Sequence, residues 1–191
     1  MSSIHKKAHE FALENISEEQ MKSIKIDQDL LIKVRHENQN GDLAWKGDLK
    51  LIKRSKTKFD SYPVGKWHHF GFMEDDNQEM ILFETHDLYD QNGRILASQT
   101  LAKKTGRLID HYKITPSEDP DYLFLLNYKS YHKNGNLNTQ STFVSKKEVL
   151  PFYSPFEYFK KHGEVRVFDE SGQLISCSTY RFGKKINDTC E

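Results

Sequence analysis

The sequence has few cysteines and no long apolar run, and both absences narrow the class of protein. Its 191 residues include two cysteines, Cys177 and Cys190, too few for the disulfide framework of a small secreted domain. Neither the N-terminus nor any other segment has an apolar run as long as a signal peptide or a membrane span. We therefore expect a soluble protein of a reducing compartment, which means a cytoplasmic location.

The sequence also lacks an excess of either charge. It has 28 basic and 28 acidic residues, which argues against a strongly basic nucleic-acid-binding protein. Apolar residues make up 36% and charged residues 29%, with a mean hydropathy of −0.77, so a thick core is excluded. Aromatic residues nevertheless reach 12%. These values favour a thin fold that buries aromatic rings against one face of a sheet.

Sequence motifs that carry catalysis are missing. The sequence contains no phosphate-binding loop, no Gly-x-Gly-x-x-Gly and no nucleophile elbow. His5 and His9 have a spacing that can hold a metal on a helix, but no clear third ligand lies nearby, so we interpret them as a surface pair. His68 and His69 are adjacent in a predicted strand and face opposite sides. We expect no enzymatic activity, no catalytic residue, no cofactor and no metal site.

The first 28 residues are predicted to form a helical segment. Ile4, Ala8, Phe11 and Ala12 fall on one helical face. The segment from Ser17 to Gln20 has the form of a capping box that begins a second short helix.

From residue 29 to residue 191 the pattern changes to β-hairpins. Apolar residues alternate with polar ones around four turns of one type, at Asn40-Gly41, Asn92-Gly93, Asn134-Gly135 and Ser171-Gly172. An apolar residue follows each glycine by two positions, and in three of the four units an aromatic residue precedes it by four. This spacing predicts three-residue loops with Gly41, Gly93, Gly135 and Gly172 at positive φ. Tyr131 with Leu137, and Phe168 with Leu174, would then be cross-strand pairs.

The predicted fold is mainly β. We expect a meander of antiparallel hairpins that forms one twisted, curved sheet, with residues 1–28 as a separate helical segment. One face of the sheet would be aromatic and apolar, and the other polar. Because an open sheet has two edges, the pattern also predicts a homodimer by edge pairing as one option.

Three segments carry a resemblance to a known family: LYDQNGRILASQTLAKKTGRL, SYHKNGNLNTQSTF and VFDESGQLISCSTYRFGKKIND. They resemble MORN-type repeats, in the divergent bacterial form found in antitoxin proteins. The resemblance implies a non-enzymatic protein-binding module, with an antitoxin or immunity-like role in which the sheet occludes a partner protein such as a toxin. It also implies membrane attachment as an alternative.

The segment PFYSPFEYF, residues 151–159, is the first candidate site. Its five aromatic residues are Phe152, Tyr153, Phe156, Tyr158 and Phe159. Two interpretations are open: these rings cover the sheet, or they form an exposed partner-binding surface.

A basic segment from Lys46 to Lys58 is the second candidate site, with six basic residues and one acid. On an alternating strand Lys50 and Arg54 share one face. They could bind lipid head groups, nucleic-acid phosphates or an acidic partner. The alternative is a strand whose lysines only discourage aggregation.

Overall fold

The computed structural model describes residues 3–56, 58–74, 78–147 and 155–189. Within these ranges the chain forms two α-helices, one short 3-10 helix and eleven β-strands. The helices are α1 (Ser3–Asn15) and α2 (Glu18–Ser23), and the 3-10 helix spans Pro155–Glu157. The strands are β1 (Asp29–Glu37), β2 (Leu43–Lys53), β3 (Phe59–Glu74), β4 (Met80–Tyr89), β5 (Ile95–Ala102), β6 (Arg107–Pro116), β7 (Phe124–Tyr131), β8 (Leu137–Ser145), β9 (Lys160–Phe168), β10 (Leu174–Arg181) and β11 (Lys184–Asn187).

Helix α2 begins at the capping box that the sequence predicts. Ser17 is the N-cap of α2: the Gln20 backbone N–H donates to its hydroxyl at 3.1 Å. The Gln20 side-chain oxygen in turn accepts from the Ser17 N–H at 3.1 Å, which completes the capping box. Ala8 and Ala12 of α1 are fully buried, so the predicted apolar stripe is the packing face of the helix.

All eleven strands form one antiparallel sheet in sequence order, from β1 to β11. The mainly β meander predicted from the sequence is therefore confirmed. Gly41, Gly93, Gly135 and Gly172 have φ between 75° and 89°, as predicted. Each turn places the −4 residue opposite the +2 residue, including Tyr131 opposite Leu137 and Phe168 opposite Leu174. The glycines are needed because an L side chain adopts this φ only with strain.

The two faces of the sheet differ in what covers them. We call the face that carries Trp45, Trp67 and Tyr112 the inner face, and the opposite one the outer face. Helix α1 packs on the inner face of β1–β3, where its alanines join a core with Trp45, Leu49 and Trp67. The Phe11 ring meets the Trp45 ring edge-on at 6.0 Å. This end of the inner face is therefore closed by the helical segment.

The aromatic segment closes the inner face again at β6–β8. The Phe156 ring makes edge-on contacts with Tyr112, Tyr128 and Phe143 at 5.5–5.8 Å between centroids. Phe159 is 3% exposed and belongs to the core, and Tyr158 packs against it. These three rings pack against the sheet, and Phe156 keeps 41% of its surface exposed. The partner-binding role of these residues stays a prediction.

The predicted separation into an aromatic face and a polar face does not hold for every repeat. Tyr89 lies in the core, whereas Tyr131, at the same position of a later repeat, stacks on His111 of the outer face with ring centroids 5.8 Å apart. β4 and β7 are three strands apart in the antiparallel meander and run in opposite directions, so their turns lie at opposite ends of the sheet. The same turn at the opposite end presents its aromatic residue to the opposite face.

Two further findings concern the cysteines and the length of the helices. Cys177 on β10 is disulfide-bonded, which the sequence analysis did not predict; the other cysteine, Cys190, lies outside the described residues. Among the residues that the structure covers, no helix has both the length and the apolar character needed to cross a bilayer.

Candidate functional site

The outer face of β3–β6 carries a groove that no described segment of the chain covers. Its volume is about 680 Å³. The outer-face residues that line it are Lys66, His68, His86, Leu88, Ala97, Gln99, Leu108, His111 and Lys113. We call it the histidine groove, because three of these residues are histidines.

The groove is built by strand register. His68 lies opposite His86, His86 opposite Gln99, and Gln99 opposite His111, so these four side chains form one row across β3, β4, β5 and β6. A second row, two residues away along each strand, runs through Lys66, Leu88, Ala97 and Lys113. The small Ala97 side chain leaves room between the two lysines. Side chains that are far apart in the sequence are thus gathered in one depression.

Glu84 joins two of the histidines. It precedes His86 by two residues and therefore shares its face. The Glu84 Oε1 atom lies 2.6 Å from Nε2 of His86 and 3.4 Å from Nδ1 of His68. The two imidazole rings are 4.2 Å apart between centroids. The side chains of His68, Glu84 and His86 are a quarter to two-fifths exposed, so solvent reaches all three.

Burial shifts the pKa values of two histidines in the groove. It lowers the pKa of His68, and the adjacent His86 ring lowers it further. Burial also lowers the pKa of His111, and the charge of Lys129 acts in the same direction. His68 and His111 are therefore mainly neutral at pH 7, and Lys66 and Lys113 add positive charge to the lining.

Apolar side chains extend the same face beyond the groove. Phe72 is 68% exposed and Met80 64% exposed, and both lie on the outer face at the far ends of β3 and β4. Leu88, inside the groove, is 40% exposed. Exposed aromatic and aliphatic groups next to basic ones are typical of protein-binding surfaces.

The inner face of β4–β6 holds a buried polar network instead of an open site. The Asp87 carboxylate is approached by the Tyr89 hydroxyl at 3.4 Å and by Nδ1 of His69 at 3.6 Å. Burial raises the pKa of Asp87 and also that of Asp110. Because Asp87 is only 9% exposed, we interpret this network as a structural part of the core.

The two residues named for the predicted basic site, Lys50 and Arg54, both form ion pairs within the chain. Lys50 pairs with Asp29 at 3.0 Å, and Arg54 pairs with both Asp27 and Asp60 at 2.8–2.9 Å. Lys53, on the other face of β2, is buried, and its ammonium group donates to the Met21 and Ile24 carbonyls at the end of α2. The segment therefore offers less free positive charge than its sequence indicates.

The other predicted residues fall into two groups. Phe152 and Tyr153 lie outside the described residues. His9, interpreted as a surface residue, is half-buried and within 2.8 Å of the Ser61 hydroxyl, which corrects that interpretation. The histidine groove was not predicted from the sequence. Its local signal was Glu84-x-His86, but only the register of β3 and β4 brings His68 beside it.

Comparison with known families agrees with the hairpin architecture. Residues 126–145 and 161–181 match a family described as a MORN repeat variant. The first match covers the hairpin β7–β8, and the second covers β9–β10. No curated protein and no solved structure matches the chain. These two hairpins are therefore similar to MORN-type repeats, which are commonly non-catalytic modules that bind proteins or membrane lipids.

Proposed function

We propose that the chain is a non-enzymatic binding protein that holds an acidic segment of a partner protein in the histidine groove. The observation that carries this proposal is the position of the groove on the face that the described chain leaves uncovered. On the inner face, α1 covers β1–β3 and the segment around Phe156 covers β6–β8. We therefore assign the partner to the groove on the outer face.

The lining of the groove favours an acidic segment with an apolar side chain. Lys66 and Lys113 stand on either side of Leu88 and Ala97. A carboxylate would pair with the lysines, while Leu88 offers an apolar contact between them. The surface is part of a hydrogen-bonded sheet, so little conformational entropy is lost on binding.

In its more specific form the proposal is an antitoxin or immunity-like role. The partner would be a toxin, and the sheet would occlude its active surface. This form rests on the resemblance of the repeats to antitoxin proteins, and it requires that the partner be harmful when it is produced alone.

Affinity capture from the native host tests the proposal. The wild-type chain is expected to retain one stoichiometric protein, and the double variant Lys66→Glu, Lys113→Glu to lose it. Lys50→Glu with Arg54→Glu is the matched control, because it also reverses two positive charges on the outer face but outside the groove. Equal capture by the wild type and the groove variant would contradict the proposal.

The same variants distinguish the lipid and nucleic-acid alternatives. Vesicles containing anionic lipid and a single-stranded RNA are titrated with each variant at several salt concentrations. Binding that is lost in the Lys50, Arg54 variant but kept in the groove variant would favour the alternative site. For the antitoxin form, the captured protein is expressed alone and with the chain. Growth arrest that the wild type relieves and the groove variant does not is the expected result.

We also propose edge pairing as the route to a homodimer, if the chain forms one. β1 and β11 are the end strands of the sheet, and β11 has only four residues. β1 has nine residues and therefore offers the longer edge for pairing. Light scattering of the wild type and of Leu31→Pro, placed in β1, measures this: a dimer should become a monomer.

A further inference from the structure

We propose that His68, Glu84 and His86 form a binding site for a divalent transition-metal ion, with Zn²⁺ as the best match. The three residues lie on two neighbouring strands, and one ligand atom from each lies within 4.8 Å of the other two. The site lies within the histidine groove, because His68 and His86 line it, but metal binding needs no partner protein.

The backbone sets the three donors on one face. His68 and His86 are directly opposite each other in the antiparallel pair β3–β4. Glu84 is two residues before His86, and alternate residues of a strand point the same way. The hydrogen-bonded sheet therefore holds all three Cα positions, and only side-chain rotation is left to adjust.

The distances suit a small ion. Zn²⁺ binds nitrogen and oxygen donors at about 2.0–2.2 Å, so tetrahedral donors lie roughly 3.3–3.5 Å apart. The Glu84 Oε1 atom is 3.4 Å from Nδ1 of His68 and 2.6 Å from Nε2 of His86. The His86 side chain would have to rotate outward slightly to admit an ion between its ring and the carboxylate.

The chemistry of the donors favours a transition metal over Mg²⁺ or Ca²⁺. Two imidazoles and one carboxylate are the donor set of zinc sites that keep one coordination position open, whereas hard cations prefer oxygen ligands alone. All three side chains are partly exposed, so the ion reaches them directly from solvent.

Titration of the metal-free chain tests the site. The full chain is stripped with EDTA, dialysed and titrated with Zn²⁺ by calorimetry, and with Co²⁺ by its visible absorption. We expect one ion per chain and the intense bands of four- or five-coordinate Co²⁺. His68→Ala, Glu84→Gln and His86→Ala should each weaken the binding roughly tenfold or more, because loss of even an outer-shell partner costs 10–100-fold.

His111→Ala is the matched control. His111 is also a groove histidine, but it lies two strands from His86 and is therefore about 10 Å away. It should bind Zn²⁺ as tightly as the wild type. Absence of saturable binding, or an equal loss in His111→Ala, would overturn the proposal.

A second measurement does not depend on the folding of variants. Imidazole NMR signals of the wild-type chain are followed during addition of Zn²⁺. The signals of His68 and His86 should shift together at one equivalent, and the signal of His111 should not follow them. Equal, gradual shifts of all the histidines would mean scattered surface binding and would contradict the site.

Discussion

The Trp67 indole lies directly on the backbone of Gly47. A Cβ atom placed on Gly47 would be 2.3 Å from Cδ2 of Trp67, which is far inside van der Waals contact. The indole N–H donates to the Asp48 carbonyl at 2.9 Å, and Trp67 is 1% exposed. The ring is thus held by its packing on Gly47 and by its hydrogen bond to Asp48. Only a residue without a Cβ atom at position 47 leaves room for it.

Gly47→Ala should therefore destabilise the chain strongly. The methyl group would displace a fully buried ring, and overpacking of this kind typically costs about 1–3 kcal/mol. We expect a loss near the top of that range, measured as the free energy of unfolding in urea. A loss below about 0.5 kcal/mol would mean that the indole moves freely, against its close packing.

Gly135→Ala tests the turn geometry. Nothing lies within 4 Å of a Cβ at this position, so the cost comes from the φ of 89° alone. We expect a loss of about 1 kcal/mol. Gly135→Asn is the matched variant and should lose less, because asparagine tolerates this conformation better. Equal stability of the wild type and both variants would contradict the role assigned to the glycine.

Much of this architecture follows from the sequence because turns and alternation are local signals. The four glycine turns, the cross-strand pairs beside them and the capping box at Ser17 all depend on residues a few positions apart. The face that each aromatic residue occupies is different. Tyr131 lies on the other face from Tyr89 because β7 runs opposite to β4, and this depends on the number of strands between them, which no local pattern marks.

The candidate site was harder to predict for the same reason. Lys50 and Arg54 look like free cations in the sequence, but Asp27, Asp29 and Asp60 approach them only in the folded sheet. The histidine groove likewise depends on the pairing of β3 with β4, which the sequence does not specify.

Phe156→Ala tests the cover on the inner face. Although this residue is 41% exposed, its ring contacts three core aromatics edge-on. We expect a loss of about 2 kcal/mol, from lost burial and lost ring contacts. Differential scanning calorimetry measures it. An unchanged melting temperature would favour the exposed, partner-binding interpretation of this ring instead.

Lys53→Met tests the link between the sheet and the helical segment. The buried ammonium group donates to the Met21 carbonyl at 2.6 Å and to the Ile24 carbonyl at 2.9 Å. Methionine keeps most of the apolar stem but no donor, so we expect a loss of about 2 kcal/mol in urea unfolding. Lys22→Met, which removes only an exposed ion pair with Glu18, should change stability by less than about 0.5 kcal/mol.

His9→Gln tests the pH dependence of stability. Burial lowers the pKa of His9 below its usual 6.5, although Glu10 and Asp60 act in the opposite direction. The unfolded chain therefore binds more protons, and the contribution of neutral His9 is complete above pH 6.5 and is lost as the pH falls below it. Glutamine does not titrate and still reaches Ser61.

We expect the wild type to lose more stability than His9→Gln between pH 7 and pH 5. The measurement is urea unfolding at several pH values, and the quantity compared is the slope of stability against pH. Parallel slopes for the two chains would show that His9 titrates normally in the folded state.

The position of α1 has a practical consequence for experiments. This helix lies against one side of the sheet, and its Lys7 and Glu14 side chains are exposed. A chain immobilised through either residue would be attached on the side of the inner face, and the groove histidines on the outer face would be open to the solution. Attachment at random lysines would instead block part of the groove through Lys66 or Lys113, so the two coupling schemes should give different apparent affinities for the same analyte.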